Sequence, residues 1–551
     1  MMKFFALPIL IVSILSLLRP ANVRAFDPRE ATIQSVHTAL FSNLTTCRTI
    51  VSSFLSRIEA YNPTINAIIS LNPHALTIVD SLDASLASGN ATGQLFCVPV
   101  LLKDNYDAVG MNTTAGCEDL RGSVPNVDAP VVQVLKKEGA VILGKANLHE
   151  LALEGLSVSS LGGQTINPYD HTRTPGGSSG GTGAAIAMSF AVFGTVNSLR
   201  SPVSANNLFS VRPTRGLISR SGIVPISFTQ DAIGPIARSL EDVAVALTVM
   251  SSVGYDPDDN TTALVPSANV GLDYSQFLSG DGTKLNGARL GLLEGFFNRT
   301  ESDETTPVNE VMDRMAQKLT AAGATVLRIN ETVYNATSIA LLDVQQFEYR
   351  QEMDAYLQRP SLGGIHPSTL NELYASKKFL VIPAQYTYVN NTLVSSTSPS
   401  TNTTYATIKL AIQDLVTTLQ STFASNDLDA IIYPEQKNLV VRIGSPSQSG
   451  RNGILGALTG SPVVTVPAGF SDPSNEAPLG VPIGMEILGR PWTEGKLLGI
   501  AKGVVSASRG GGVRRVPEFA RQSVAVKSYG GVPVIAPDGE NIPKAYPLGT
   551  L

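Results

Sequence analysis

The chain has 551 residues, 43% hydrophobic and 15% charged, with 40 Lys and Arg against 45 Asp and Glu and a formal charge of −5. A chain this apolar is not a disordered tail and can bury a large core. Its slight acidity argues against nucleic acid as the main partner, since phosphate binding needs clustered Lys and Arg. Its charged fraction is low against the ~25% of ordinary soluble domains, which calls for a thick interior or a surface kept wet by something other than charge.

Taken in chain order, residues 1–25 read as a secretory signal. Lys3 supplies the positive start, Phe4 to Leu18 the apolar run, and Val23-Arg24-Ala25 the small residues that predict cleavage before Phe26. The run is shorter than the ~20 residues a membrane helix needs. Apolar residues recur at helical spacing from Leu44 to Ile58, with Ser42 as cap. Cys97 to Leu102 reads as a buried strand that runs into Lys103-Asp104-Asn105, and Ala140 to Leu143 as another strand. Pro175 to Gly181 breaks the pattern, and Gly183 to Val192 suits a buried helix. Further strands are expected at Arg289–Leu293, Ala430–Tyr433 and Pro462–Val466, with a helix over Val308–Ala322 between them. This alternation predicts an α/β fold. Residues 394–404 read as a low-complexity surface loop and residues 509–551 as an irregular C-terminal tail. No linker within 30–505 forces a domain split.

Nine asparagines stand in Asn-X-Ser/Thr sequons: Asn43, Asn90, Asn112, Asn260, Asn298, Asn330, Asn335, Asn390 and Asn402. Behind a signal peptide they predict a secreted glycoprotein. Cys47, Cys97 and Cys117 are an odd set that allows one disulfide plus a free thiol, with the pairing open. His37, His74, His149, His171 and His366 form no metal-ligand spacing, so neither a metal nor a cofactor is expected.

The most informative stretch is Pro175-Gly176-Gly177-Ser178-Ser179-Gly180-Gly181. It is short for a linker, and no Lys follows it as a phosphate-binding loop requires. Gly176 to Gly180 fits the G-x-S-x-G nucleophile elbow, but that chemistry needs a downstream His, and only His366 lies downstream. A hydrolase that uses no His suits the sequence better.

The run GGSSGG at 176–181, Lys103 within VPVLLKDNYD, and SLRSP at 198–202 resemble the amidase signature family. Further segments are similar to family blocks in the same order: Gly110–Gly116, Gly144–Glu150, Arg212–Gly216, Gln230–Pro235 and Gly460–Gly469. The chain is thus identified as a member, of the secreted fungal type, over roughly 30–505. The resemblance implies one α/β/α sandwich around a large mixed sheet, here residues 26–508. It also implies amide hydrolysis by a Ser–Ser–Lys triad through an acyl-enzyme. Residue by residue, Lys103 would be the base, Ser178 the bridging serine after a cis Gly177–Ser178 bond, and Ser198 the nucleophile. Backbone N–H groups of Thr195, Val196 and Asn197 would form the oxyanion hole. Arg200 and Asp231 would either orient the loop or form a structural pair, and His149 and His171 would be structural. The implied partner is a small-molecule or peptide amide, with no nucleic acid, no membrane span once the signal is cleaved, and no oligomeric state specified.

The sequence departs from the family just before Ser198. Gly194-Thr195-Val196-Asn197 is two residues short and lacks the family's acidic residue and paired glycines. A rebuilt oxyanion hole, a catalytically impaired binding protein on the same fold, and an erroneous reading of the gene are all compatible with this departure.

Overall fold

A computed structural model describes residues 25–197, 200–280, 285–395, 399–508 and 514–551. The predicted signal, apart from Ala25, and the predicted nucleophile Ser198 lie outside the described residues.

The described residues are built on an 11-stranded mixed sheet. Numbered in chain order, its strands are β1 (Ile68–Leu71), β2 (Pro99–Lys103), β3 (Val141–Ala146), β4 (Phe193–Val196), β5 (Phe209–Arg212) and β6 (Gly234–Ala237). They continue with β7 (Arg289–Leu293), β8 (Thr325–Ile329), β9 (Ala430–Pro434), β10 (Val463–Phe470) and β11 (Pro482–Leu488). The spatial order is β1-β3-β2-β4-β6-β5-β10-β11-β9-β7-β8. Parallel pairs β2–β3, β2–β4, β7–β9 and β7–β8 alternate with antiparallel stretches.

Strand periodicity shows why both faces are covered. Ala430 and Ile432 enter one apolar cluster while Ile431 and Tyr433 enter another; Val464 and Val466 join the first and Val463 the second. Side chains alternate across a strand, so a run apolar at every position needs a layer on each side. Helices supply those layers. Val311 and Met315 of Thr306–Ala321 pack into the first cluster, and Leu415 and Phe423 of Thr403–Ser425 into the second. The α/β sandwich expected from the sequence is the fold observed.

Several boundaries differ from expectation. The first long helix is Cys47–Ile65, not 44–58, because Asn43 turns at φ +56° and Thr46, not Ser42, caps the helix by accepting from Thr49 N–H at 3.1 Å. The buried helix expected over 183–192 is Gly180–Ala187: it starts inside the glycine run and stops where Ser189 turns at φ +59°. The loop expected at 394–404 is trimmed at both ends, by a helix to Val394 and by Asn402 capping the helix from Thr403. Described residues of the tail carry one short helix, Glu518–Arg521, but lie against the body: Arg57 donates to the Ala520 carbonyl at 2.7 Å.

Cys47 and Cys97 form a disulfide, and Cys117 is a buried free thiol. Among the described residues, no helix is long and apolar enough to cross a membrane.

Candidate active site

Strands β2 and β4 run parallel with Leu102 beside Thr195, so they end together at one edge of the sheet. Lys103 is the last residue of β2 and Asn197 the first after β4. The two side chains meet there: Lys103 Nζ donates to Asn197 Oδ1 and, at 2.7 Å, to Ser178 Oγ. Lys103 is fully buried, and burial pushes its ammonium well below the ordinary lysine value, opposed by the charge of Asp231. Asp104 does not neutralise Lys103; it faces Lys145 Nζ at 3.4 Å and accepts from Thr114 Oγ1.

Ser178 is delivered by the glycine run. The Gly177–Ser178 peptide is cis, and the Ser178 carbonyl accepts from His149 N–H at 2.9 Å. Ser157 Oγ donates to the Gly176 carbonyl at 2.7 Å and accepts from Gly180 N–H at 2.9 Å, tying both ends of the loop. Glycine is required at two positions for different reasons. Gly176 sits at φ +69°, and a Cβ on Gly181 would lie 2.1 Å from the Asn147 carbonyl.

The segment before Ser198 is sheet rather than loop up to Val196. Thr195 pairs with Leu102 and Pro235, and the Val196 carbonyl accepts from Tyr106 Oη at 2.9 Å. Its β-branched residues extend the strand to the edge, and Asn197 leaves it.

Arg200 and Asp231 do not pair with each other. Arg200 Nε lies 3.7 Å from Glu486, while Asp231 accepts from Ile226 N–H (2.8 Å) and Ser227 N–H (3.0 Å). Both face the same cavity. His149 is buried and held down to about 4 by burial, so its ring is neutral; His171 stacks on Phe519. His366 sits beside the Pro367 carbonyl and is not among the residues lining the two cavities described next.

Those cavities share Asn197 and Asp231. One, of about 330 Å³, reaches Gly177, Arg200, Glu435 and Gln448; the other, of about 810 Å³, reaches Phe228, Glu352, Tyr356 and Arg359. Sequence reasoning passed over Glu435, Gln448 and Lys145. The available signal was a polar Glu435-Gln436 pair directly after an apolar strand.

The Amidase family model matches residues 49–498. A probable amidase of Arabidopsis thaliana is 31% identical over 520 residues, covering 90% of this chain and 92% of its own length. A glutamyl-tRNA(Gln) amidotransferase component of Microcystis aeruginosa is 29% identical, covering 85% and 96%. The peptide amidase of Stenotrophomonas maltophilia superposes with a TM-score of 0.75 at 30% identity, covering 89% and 99%. The chain belongs to the amidase family and is a hydrolase of amide C–N bonds.

Proposed function

We propose that this chain is a secreted, glycosylated amidase that cleaves a small-molecule or peptide amide through Lys103, Ser178 and Ser198. The observation that carries the reading is the buried 2.7 Å contact between Lys103 Nζ and Ser178 Oγ, whose neighbours Gly177 and Asn197 line a cavity. A serine hydroxyl is a weak nucleophile until a neighbour takes its proton. A lysine can do so only when neutral, the form that burial favours here. Ser198 Oγ attacks the amide carbon as its proton passes to Ser178 Oγ, whose own proton moves to Lys103 Nζ. The relay then runs in reverse: Ser178 protonates the leaving amine, the C–N bond breaks, and a Ser198 ester remains. Water, deprotonated through the same relay, cleaves that ester and frees the acid. Backbone N–H groups among Thr195, Val196 and Asn197 would hold the oxyanion.

Several curated relatives are components of glutamyl-tRNA(Gln) amidotransferases. The signal-like N-terminus, the sequons and the net negative charge favour a stand-alone extracellular enzyme instead. The described surface supports glycosylation: eight of the nine sequon asparagines are exposed and Asn402 is half-buried.

A fluorophosphonate probe on purified protein tests the chemistry. Labelling is expected in the parent chain and in His366→Ala, and lost in Ser198→Ala and Lys103→Ala. Labelling that depends on His366 would overturn the triad. Absence of labelling throughout would leave the impaired binding protein as the better account of the shortened 194–198 segment. Secretion is tested by N-terminal sequencing of protein from culture medium, expected to begin at Phe26.

A further inference from the structure

The smaller cavity carries polar groups with no assigned work. Glu435 follows β9 directly and is 1% exposed, and its Oε2 has no hydrogen-bond partner among the described residues. Gln448 is 4% exposed; its backbone N–H reaches Glu154 at 2.9 Å, yet neither its Nε2 nor its Oε1 has a partner among the described residues. Arg200 Nη1 is in the same position. All these residues line the cavity that also touches Gly177 and Asn197. A buried polar group left desolvated and unpaired destabilises the fold, so a cluster of them needs an explanation.

The chemistry of the cluster narrows the ligand. A carboxamide offers one accepting oxygen and an NH2 donor, and Arg200 only donates. Glu486 lies behind, fully buried and 3.7 Å from Arg200 Nε. Burial, reinforced by Glu486 and opposed by Arg200 and Arg451, pushes Glu435 up to about 8. That shift favours the protonated form of Glu435, which can both donate and accept. An uncharged group with one N–H and one C=O, a second amide, satisfies such a set. A hydrocarbon chain satisfies none of it.

We propose that Glu435 and Gln448 form a specificity site that reads a second, uncharged amide group of the substrate beside the scissile one. The enzyme then prefers acylated amino-acid amides and peptide amides over plain aliphatic amides. This rests on the reading of Lys103, Ser178 and Ser198 as the reacting groups.

The test compares kcat/KM for N-acetylalanine amide and butanamide. The parent enzyme favours the first, and the ratio falls about tenfold to a hundredfold in Glu435→Ala and Gln448→Ala, mostly through KM. Glu435→Gln, which can also donate and accept, retains the ratio; since it keeps the side chain's shape, this separates recognition from folding. A ratio unchanged in the alanine variants, or a parent preference for butanamide, would overturn the proposal. Calorimetric binding of N-acetylalanine amide separates the two readings if the parent hydrolyses neither compound. Binding that weakens in Glu435→Ala would uphold the site and sink the catalytic assignment, while no binding by the parent would sink the site itself.

Discussion

At the residue scale, Lys103 was legible because the family resemblance singled it out and the apolar strand that ends on it implied burial. The structure adds that Asn197 and Ser178 share its Nζ. Glu435 and Gln448 were not read: the local mark was a polar Glu435-Gln436 pair after an apolar strand, which does not say that the glutamate is buried without a partner. Burial makes the Lys103 prediction specific in sign. The base works when neutral, so kcat/KM rises with pH along a limb whose midpoint lies below the ordinary lysine value of 10.5. Asp231 raises the lysine's value. Asp231→Asn therefore moves that limb to lower pH, and a move to higher pH would contradict the electrostatic account. Lys103→Ala is expected to lower kcat by about 10²–10⁴ at the pH optimum.

At the element scale, the five strands read from the sequence all lie in the sheet, but six of its 11 strands went unread, and helix ends were read poorly. Arg289–Leu293 was legible to the residue because its leucines serve both faces of the sheet, Leu290 and Leu292 entering one apolar cluster and Leu293 the other. The helix at Gly180 was not, because glycine is a poor helix former and is used there for closeness rather than propensity. Gly181→Ala tests that reason. Its Cβ would lie 2.1 Å from the Asn147 carbonyl oxygen, a backbone atom that cannot swing aside, so the loop carrying Ser178 must move. A stability loss of about 1–3 kcal/mol by denaturant titration, with a fall in kcat, is expected. The cysteine pairing, left open by the sequence, is settled as Cys47–Cys97, fastening the start of a long helix to the approach to β2 across a separation of 50 residues. Cys47→Ala is expected to lower stability by about 2–4 kcal/mol, chiefly by freeing the unfolded chain, and the same change in midpoint should follow reduction of the parent.

At the scale of the whole molecule, one sheet of 11 strands runs through the described residues, and its two buried faces account for the low charge. The tail is where composition misleads. Its glycines and prolines keep it irregular, yet irregular backbone can still be fixed by a side chain from the body. Arg57, on the long first helix and 1% exposed, donates to the carbonyls of Met188 (2.6 Å), Ala520 (2.7 Å) and Gln522 (2.9 Å). One guanidinium thus joins the turn after the glycine-run helix to the tail. Arg57→Met keeps the apolar stem and removes the donors. The Met188 carbonyl is then left buried, whereas Ala520 and Gln522 can regain water by lifting off. The expected outcome is preferential opening of the tail: trypsin cuts at Arg521 and Lys527 about tenfold faster or more, ahead of any cut in the sheet domain. Tyr529, which reaches Glu59 at 2.8 Å, is one competing anchor, beside Arg29 on the Arg521 carbonyl and Arg48 on the Tyr529 carbonyl, both at 2.7 Å. If cleavage is as slow in Arg57→Met as in the parent, and accelerates only in Tyr529→Phe, the clamp is the tyrosine and not the buried arginine.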